Sequence, residues 1–299
     1  MKKLFYLFMV ALCATMFAAC SDDDDKDPLN EEEEGGEGVI TMVVENNYDD
    51  DYDVDLDVYS FKEGEIITVD WGDGSVEEFK TVLDEENYEE HNEIRYLIDI
   101  EHEYSNSNPH TIMIKGNIKD LYCYYNKLTS LDVSKNKELI YLNCEYNNLT
   151  SLNVSGCTKL TYLECGHNNL TSLDVSKNTA LTYLDCGNNN LTSLDVSKNT
   201  ALTYLDCEDN NLTSLDISKN KELILLDCGD NNFSSSALNK IFYDLPKGRD
   251  LTEEEFREYC DYGYRIKHST IQIYSNPGTN TCDRSIAEKK GWDIVDRLY

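Results

Sequence analysis

The apolar positions between Leu128 and Asn232 repeat at a fixed step of 21 residues, through five copies without an insertion. The third copy reads LTSLDVSKNTALTYLDCGNNN, and a half-copy, IKDLYCYYNK, leads in from Ile118 to Lys127. Leu163 and Cys165 alternate around Glu164, which predicts a short strand with both side chains inward. Asn168 predicts a turn, because Asn tolerates tight turns and its amide bonds to backbone. Leu170, Leu173 and Val175 supply the return side, with Asp174 facing out between the last two. One such coil cannot bury its own ring of leucines. Stacked coils can, since each Leu meets its copy in the next turn. The period therefore predicts a solenoid over residues 118–232.

Other patterns flank it. Val39–Val44, Val54–Tyr59, Ile66–Trp71 and Thr111–Lys115 are strand-like runs, and Gly72-Asp73-Gly74 is a turn. They predict a small all-β unit over 39–117. After the repeat, Ser234 to Ser236 offer N-caps for a helix over Ala237–Leu245, stopped by Pro246. Thr270–Tyr274 alternates as a strand that extends the sheet by one coil. A turn at Asn276 and a short helix over Asp283–Lys290 follow, making 233–299 a mixed α/β cap. A cap is required because the last coil otherwise exposes its Leu ring.

Charge and thiols narrow the function. The 299 residues hold 58 acidic and 26 basic side chains, a net charge of −32. That excludes nucleic acid, which needs a basic footprint, and adhesion to anionic lipid through basic residues. Of eleven cysteines, Cys123, Cys144, Cys165, Cys186, Cys207 and Cys228 recur at steps of 21. They occupy one inward site of six successive coils, about 4.8 Å apart. Parallel side chains in a packed core are poorly aimed for disulfides, so they read as small buried hydrophobes. No His accompanies the row, so no metal site is assigned. Cys157 replaces the Asn found at 136, 178, 199 and 220, as a tolerated turn substitution. Cys260 and Cys282 pair only if the fold brings them together.

Residues flanking the inward Leu and Cys should form an open strand face. Tyr141, Tyr162, Tyr183 and Tyr204 make one row, ending in Leu225. Asn143, Glu164, Asp185, Asp206 and Asp227 make the next. Tyr122 and Tyr124 stand at the entry. Tyr suits interfaces, and an acidic row favours a basic patch on a protein partner. An aromatic stripe also suits a glycan. A second reading gives the tyrosines no ligand: stacked rings on neighbouring strands stabilise the sheet. No HExxH, GxSxG or P-loop occurs, and identical repeated Tyr–carboxylate pairs give no asymmetric acid and base. The expectation is a non-enzyme without cofactors.

Several stretches resemble known families. The spacing Leu160, Leu163, Cys165, Asn168, Leu170 resembles the leucine-rich repeat, in the short form of Bacteroidetes surface proteins, with internalins more distant. That resemblance implies protein binding on the strand face. VDWGDGS (Val69–Ser75), HEY (His102–Tyr104) and HTIMIKG (His110–Gly116) resemble PKD-type immunoglobulin-like domains, apart from an acidic insert around Asp84–Glu93. Asp70 and Asp73 read as turn residues, with a Ca²⁺ site as the alternative. NPGTNTC…AEKKGW resembles the cap of such bacterial repeats. Residues 1–20, with Lys2, Lys3 and an apolar stretch too short to span a membrane, read as a targeting segment. Phe17-Ala18-Ala19-Cys20 resembles a lipoprotein cleavage box, which implies lipidation of Cys20, the sole membrane contact. The acidic run Asp22–Asp25 resembles the surface-export signal of Bacteroidetes lipoproteins, which implies the outer face of the outer membrane. Residues 21–38 read as an acidic tether. The expected fold is mainly β: a leucine-rich repeat solenoid with a small N-terminal PKD-like β-sandwich and a mixed α/β cap.

Overall fold

The computed structural model describes residues 38–45, 53–83, 96–253, 255 and 266–295. The leader with Cys20, the acidic stretch up to residue 37, the insert over 84–93 and Cys260 lie outside them. Alternation in the N-terminal third becomes antiparallel strands, most of them with one buried face. β1 (Gly38–Val44) buries Ile40, Met42 and Val44, and β2 (Asp53–Ser60) buries Val54, Leu56 and Val58. β3 (Ile66–Asp70), β4 (Val76–Lys80), β5 (Val82–Leu83), β6 (Tyr96–Glu103) and β7 (His110–Gly116) complete two sheets. Their orders are β4-β3-β7-β1 and β5-β6-β2. Asp70, just before the WGDG turn, and Asp73 within it both bond to the turn's own backbone. Asp70 accepts from the Gly72 N–H, and Asp73 from the Ser75 N–H and hydroxyl. Those Ser75 bonds hold the Asp73 carboxyl down at about 2. His102 stacks on buried Trp71 with ring centres 4.3 Å apart, and Tyr104 donates to the Trp71 carbonyl at 2.8 Å. Among the described residues no group of three or more His, Cys, Asp or Glu is arranged to hold a metal ion.

The sandwich runs straight into the repeat. β8 (Ile118–Tyr122) pairs antiparallel with β2, and β9 (Leu128–Asp132), on the return side, pairs antiparallel with β1. Both sheets therefore continue into the first coil. The repeats then add β10 (Tyr141–Asn143), β11 (Tyr162–Glu164), β12 (Tyr183–Asp185), β13 (Tyr204–Asp206) and β14 (Leu225–Asp227), all parallel. The register is strict: Leu142 lies beside Leu163, Leu163 beside Leu184, Leu184 beside Leu205. This is the stacked solenoid that the period requires.

Its interior is dry, so every buried backbone group there needs a partner. Asparagine supplies it at each turn. Asn168 donates to the carbonyls of Cys144, Cys165 and Gly166 at 2.9, 3.2 and 3.0 Å, and accepts from the Leu149 N–H at 3.0 Å. One amide thus ties its own turn to the coil before it. Asn147, Asn189 and Asn210 repeat these contacts. The residue before each asparagine of this row, from Asn126 to Asn231, is left-handed: Tyr125, Tyr146, His167, Asn188, Asp209 and Asp230 have φ between 43° and 56°. The six ladder thiols are buried and free. Each Sγ reaches a carbonyl of the next coil, as Cys165 does to Asp185 at 3.3 Å. Burial pushes these thiols far up, so they stay neutral. A second asparagine row serves the return side: Asn178 donates to the Val154 carbonyl at 2.9 Å. Cys157 stands in this row as a buried rung, with Sγ 3.2 Å from the Val133 carbonyl.

The cap closes the far end. α1 (Ser235–Asp244) is N-capped by Ser234, whose hydroxyl accepts from the Ala237 N–H. β15 (Thr270–Gln272) extends the sheet parallel to β14. After α2 (Ser285–Glu288), β16 (Asp293–Val295) adds another parallel strand that sequence patterning did not suggest. Asn276 continues the ladder into the cap, donating to the Cys228 carbonyl at 2.9 Å and accepting from Phe233. At the opposite end Asn126 bonds both the N–H and the carbonyl of Asp55 in the sandwich. A single apolar core runs from Ile40 to Trp292.

The ladder makes a stability prediction. Asn189→Ala strands the Leu170 N–H and the carbonyls of Cys165 and Cys186 in a dry interior. It should cost on the order of 3 kcal/mol in urea unfolding. The neighbouring Asn188→Ala, whose side chain holds only Glu208, should cost less than half as much.

Candidate functional site

The strand face is not uniformly open. Its tyrosines stack ring on ring, with centroids 4.6 Å apart for Tyr122–Tyr141, 5.5 Å for Tyr141–Tyr162, 4.9 Å for Tyr162–Tyr183 and 4.0 Å for Tyr183–Tyr204. Tyr122, Tyr141 and Tyr162 are half-buried. Tyr183 and Tyr204 are 6% and 1% exposed, which corrects the expectation that the whole row lies open. Their cover is local. Ile224, Leu225 and Ile266 form an apolar cluster with both rings, and Leu251 packs against it. The fifth copy carries Ile224-Leu225 where the three preceding copies have Thr-Tyr. Two outward apolar residues on the last repeat strand need covering, and the segment after α1 supplies it. That substitution was the available signal. Farther along, the Tyr274 ring lies against Gly229, where a Cβ would come within 2.4 Å of it.

The acidic row is likewise drawn into the fold. Glu164, Asp206 and Asp227 are buried, and Asp185 is half-buried. Asp185, Asp206 and Asp227 each accept from the N–H two residues on, at 2.9 Å, capping the strand end as Asx turns. Glu164 accepts from the Tyr141 hydroxyl at 2.9 Å and from the Asn143 amide. Gly166 leaves room for two carboxyls to converge. A Cβ there would sit 2.9 Å from Asp185 Oδ1 and 3.0 Å from Glu145 Oε1. Burial pushes the Glu164 carboxyl up to about 7. Burial, then mutual repulsion along the row, also raises Glu145, Asp185 and Asp206.

What remains open lies at the sandwich end. Tyr124, Tyr125 and Tyr146 are 47%, 63% and 39% exposed. Tyr125 stacks on Tyr146 at 4.2 Å, and Tyr146 on His167 at 4.0 Å. Of these, Tyr124 belongs to the expected surface. Tyr125 and Tyr146 do not, because they sit at the left-handed turn positions, which a reading based on strand alternation passes over. Beside them a cleft of about 580 Å³ opens between sandwich and solenoid, with Asp55, Glu101, Glu103, Tyr122, Tyr124 and Tyr125 in its wall.

Residues 158–199 match the family model for leucine-rich repeats in two copies. No curated protein sequence matches the chain. Among solved structures, the functional domain of InlJ from Listeria monocytogenes, described as including a cysteine ladder, is similar at 34% identity. The match covers 58% of this chain and 38% of that one, with a TM-score of 0.40. An internalin, InlF, from the same species aligns at 19% identity over 56% of this chain and 43% of that one, with a TM-score of 0.44. A plant peptide hormone receptor, RGFR1, solved in complex with RGF2, aligns at 18% identity over 48% and 22%, with a TM-score of 0.36. The chain spans less than half the length of each.

The raised carboxyls set a pH dependence. Glu164 takes up its proton near 4.5 in the unfolded chain and near 7 in the folded one. The folded state therefore binds more protons between these values, and stability falls as pH rises through that window. Tm should be higher at pH 5 than at pH 8. Glu164→Gln and Asp185→Asn should each reduce that difference and raise Tm at pH 8.

Proposed function

We propose that the protein is a non-catalytic binding module at the cell surface. In this reading it is held in the outer membrane by lipid on Cys20 and recognises a protein ligand with the sandwich end of its strand face. The observation that carries it is the pair Tyr125 and Tyr146. Both hold left-handed backbone that other coils give to Asn188, Asp209 and Asp230. For a bulky side chain that conformation costs roughly 1 kcal/mol. Both rings also stand exposed to water. Two large aromatics at strained, open positions are a cost to the free protein that a bound partner offsets. Tyr122, Tyr124, Tyr141 and Tyr162 extend the same surface.

Ring geometry favours a protein over a glycan. Sugar rings stack on open aromatic faces, yet the faces of Tyr125, Tyr146 and His167 are turned onto one another. What they offer outward is edges and hydroxyl groups, which suit the mixed apolar and polar surface of a protein. Tyr183, Tyr204, Asp206 and Asp227 are buried in this chain and take no part in the proposal.

The test compares the full chain with a Tyr124→Ser/Tyr125→Ser/Tyr146→Ser variant on a panel of extracellular-matrix proteins and polysaccharides. Capture of a matrix protein should weaken at least about tenfold, a loss typical of interface aromatics. Thermal stability should change little. Unchanged capture, or capture of polysaccharide alone, would overturn the reading.

A further inference from the structure

The outward face of β2 and β6 breaks a rule of sheet construction. Across this strand pair Asp53 lies opposite Glu103, Asp55 opposite Glu101 and Asp57 opposite Asp99. Directly opposed like charges destabilise a sheet. The inward positions between them, Val54, Leu56, Ile98 and Ile100, are buried and apolar. Alternation therefore demands only that the outward residues be polar, not that all six be acids. β2 also pairs with β8, so this face continues into the aromatic end of the solenoid, with Asp57 opposite Tyr122. The two surfaces meet in the cleft of about 580 Å³, and none of the described residues lining it is Lys or Arg.

We infer that this cleft receives arginine or lysine side chains from an extended basic segment of the partner protein. The inference rests on the strand-face reading above and names the chemistry of its ligand. Carboxylates on opposed strands accept the parallel N–H pairs of a guanidinium group. Tyr124, whose ring is not stacked face to face, adds aromatic surface on which a cation is attracted by the ring electrons. A cleft of this volume holds a long flexible side chain. Polyanions and nucleic acid are repelled by the same carboxylates.

Titration calorimetry with an acetylated, amidated tetra-arginine peptide tests this on the full chain. The cleft variant is Asp55→Asn/Glu101→Gln/Glu103→Gln. The control, Asp174→Asn/Asp195→Asn/Asp216→Asn, removes the same charge from the return side of the coils. The cleft variant should bind at least about tenfold more weakly than wild type, and the control within about twofold. Its Tm should equal or exceed that of wild type, because the opposed charges are gone, so lost binding cannot be ascribed to misfolding. Equal weakening in both variants would mean diffuse attraction to the net charge and would overturn the inference. So would a wild type that ignores the peptide but is stabilised by calcium alone. If the tyrosine variant loses matrix-protein capture while the cleft variant keeps it, the strand-face reading stands and the basic-segment inference falls.

Discussion

A chain that coils around a dry interior must satisfy its own turns from within. In this protein one asparagine amide per coil does so, with three carbonyls and one N–H as partners. The requirement explains the rigid period. An inserted residue would move the amide off its partners and leave several buried polar groups unpaired, each costing about 1–3 kcal/mol. The cysteine row follows from the same spacing. Beside the strand each small thiol is buried, and as a weak donor it finds a carbonyl of the next coil.

The ladder also explains how the ends are finished. A solenoid has two open faces and two open sheet edges. The sandwich closes one end by giving β2 and β1 as partners for β8 and β9, and Asn126 bonds to Asp55 as though β2 were a preceding coil. The cap closes the other with β15, β16 and Asn276. Sandwich, repeats and cap thereby share one core. The strand face inherits an asymmetry from these closures. Leu251, Ile266 and Tyr274 cover its cap end, while its sandwich end keeps exposed tyrosines and an acidic cleft.

Legibility in the sequence follows the range of the interactions. The solenoid, its inward Leu and Cys and the first helix depend on neighbours about one period away or less, and the strand at Thr270 shows in its own alternation, so pattern alone reveals them. Exposure on the strand face does not. Tyr162, Tyr183 and Tyr204 occupy identical LTYL contexts, yet Tyr162 is half-buried and Tyr204 fully buried. The difference comes from Ile224 and Leu225 on the next coil and from Ile266 and Leu251, which lie dozens of residues away. Pairing of β1 with β9 is equally long-range. Tyr125 and Tyr146 are hidden for another reason: the following Asn marks the turn, but Tyr seldom adopts left-handed backbone, so nothing local says that these rings project outward from it.

One continuous interior joins sandwich, solenoid and cap. Alkylation of the buried thiols along a urea series, read by mass spectrometry alongside the fluorescence of Trp71 and Trp292, tests it most directly. The account predicts that Cys123, Cys144, Cys165, Cys186, Cys207 and Cys228 resist the reagent in native buffer. They should then become reactive together, at the urea concentration where both tryptophans report unfolding. Ready labelling of these thiols in the folded protein, or a sandwich that melts apart from the coils, would contradict it.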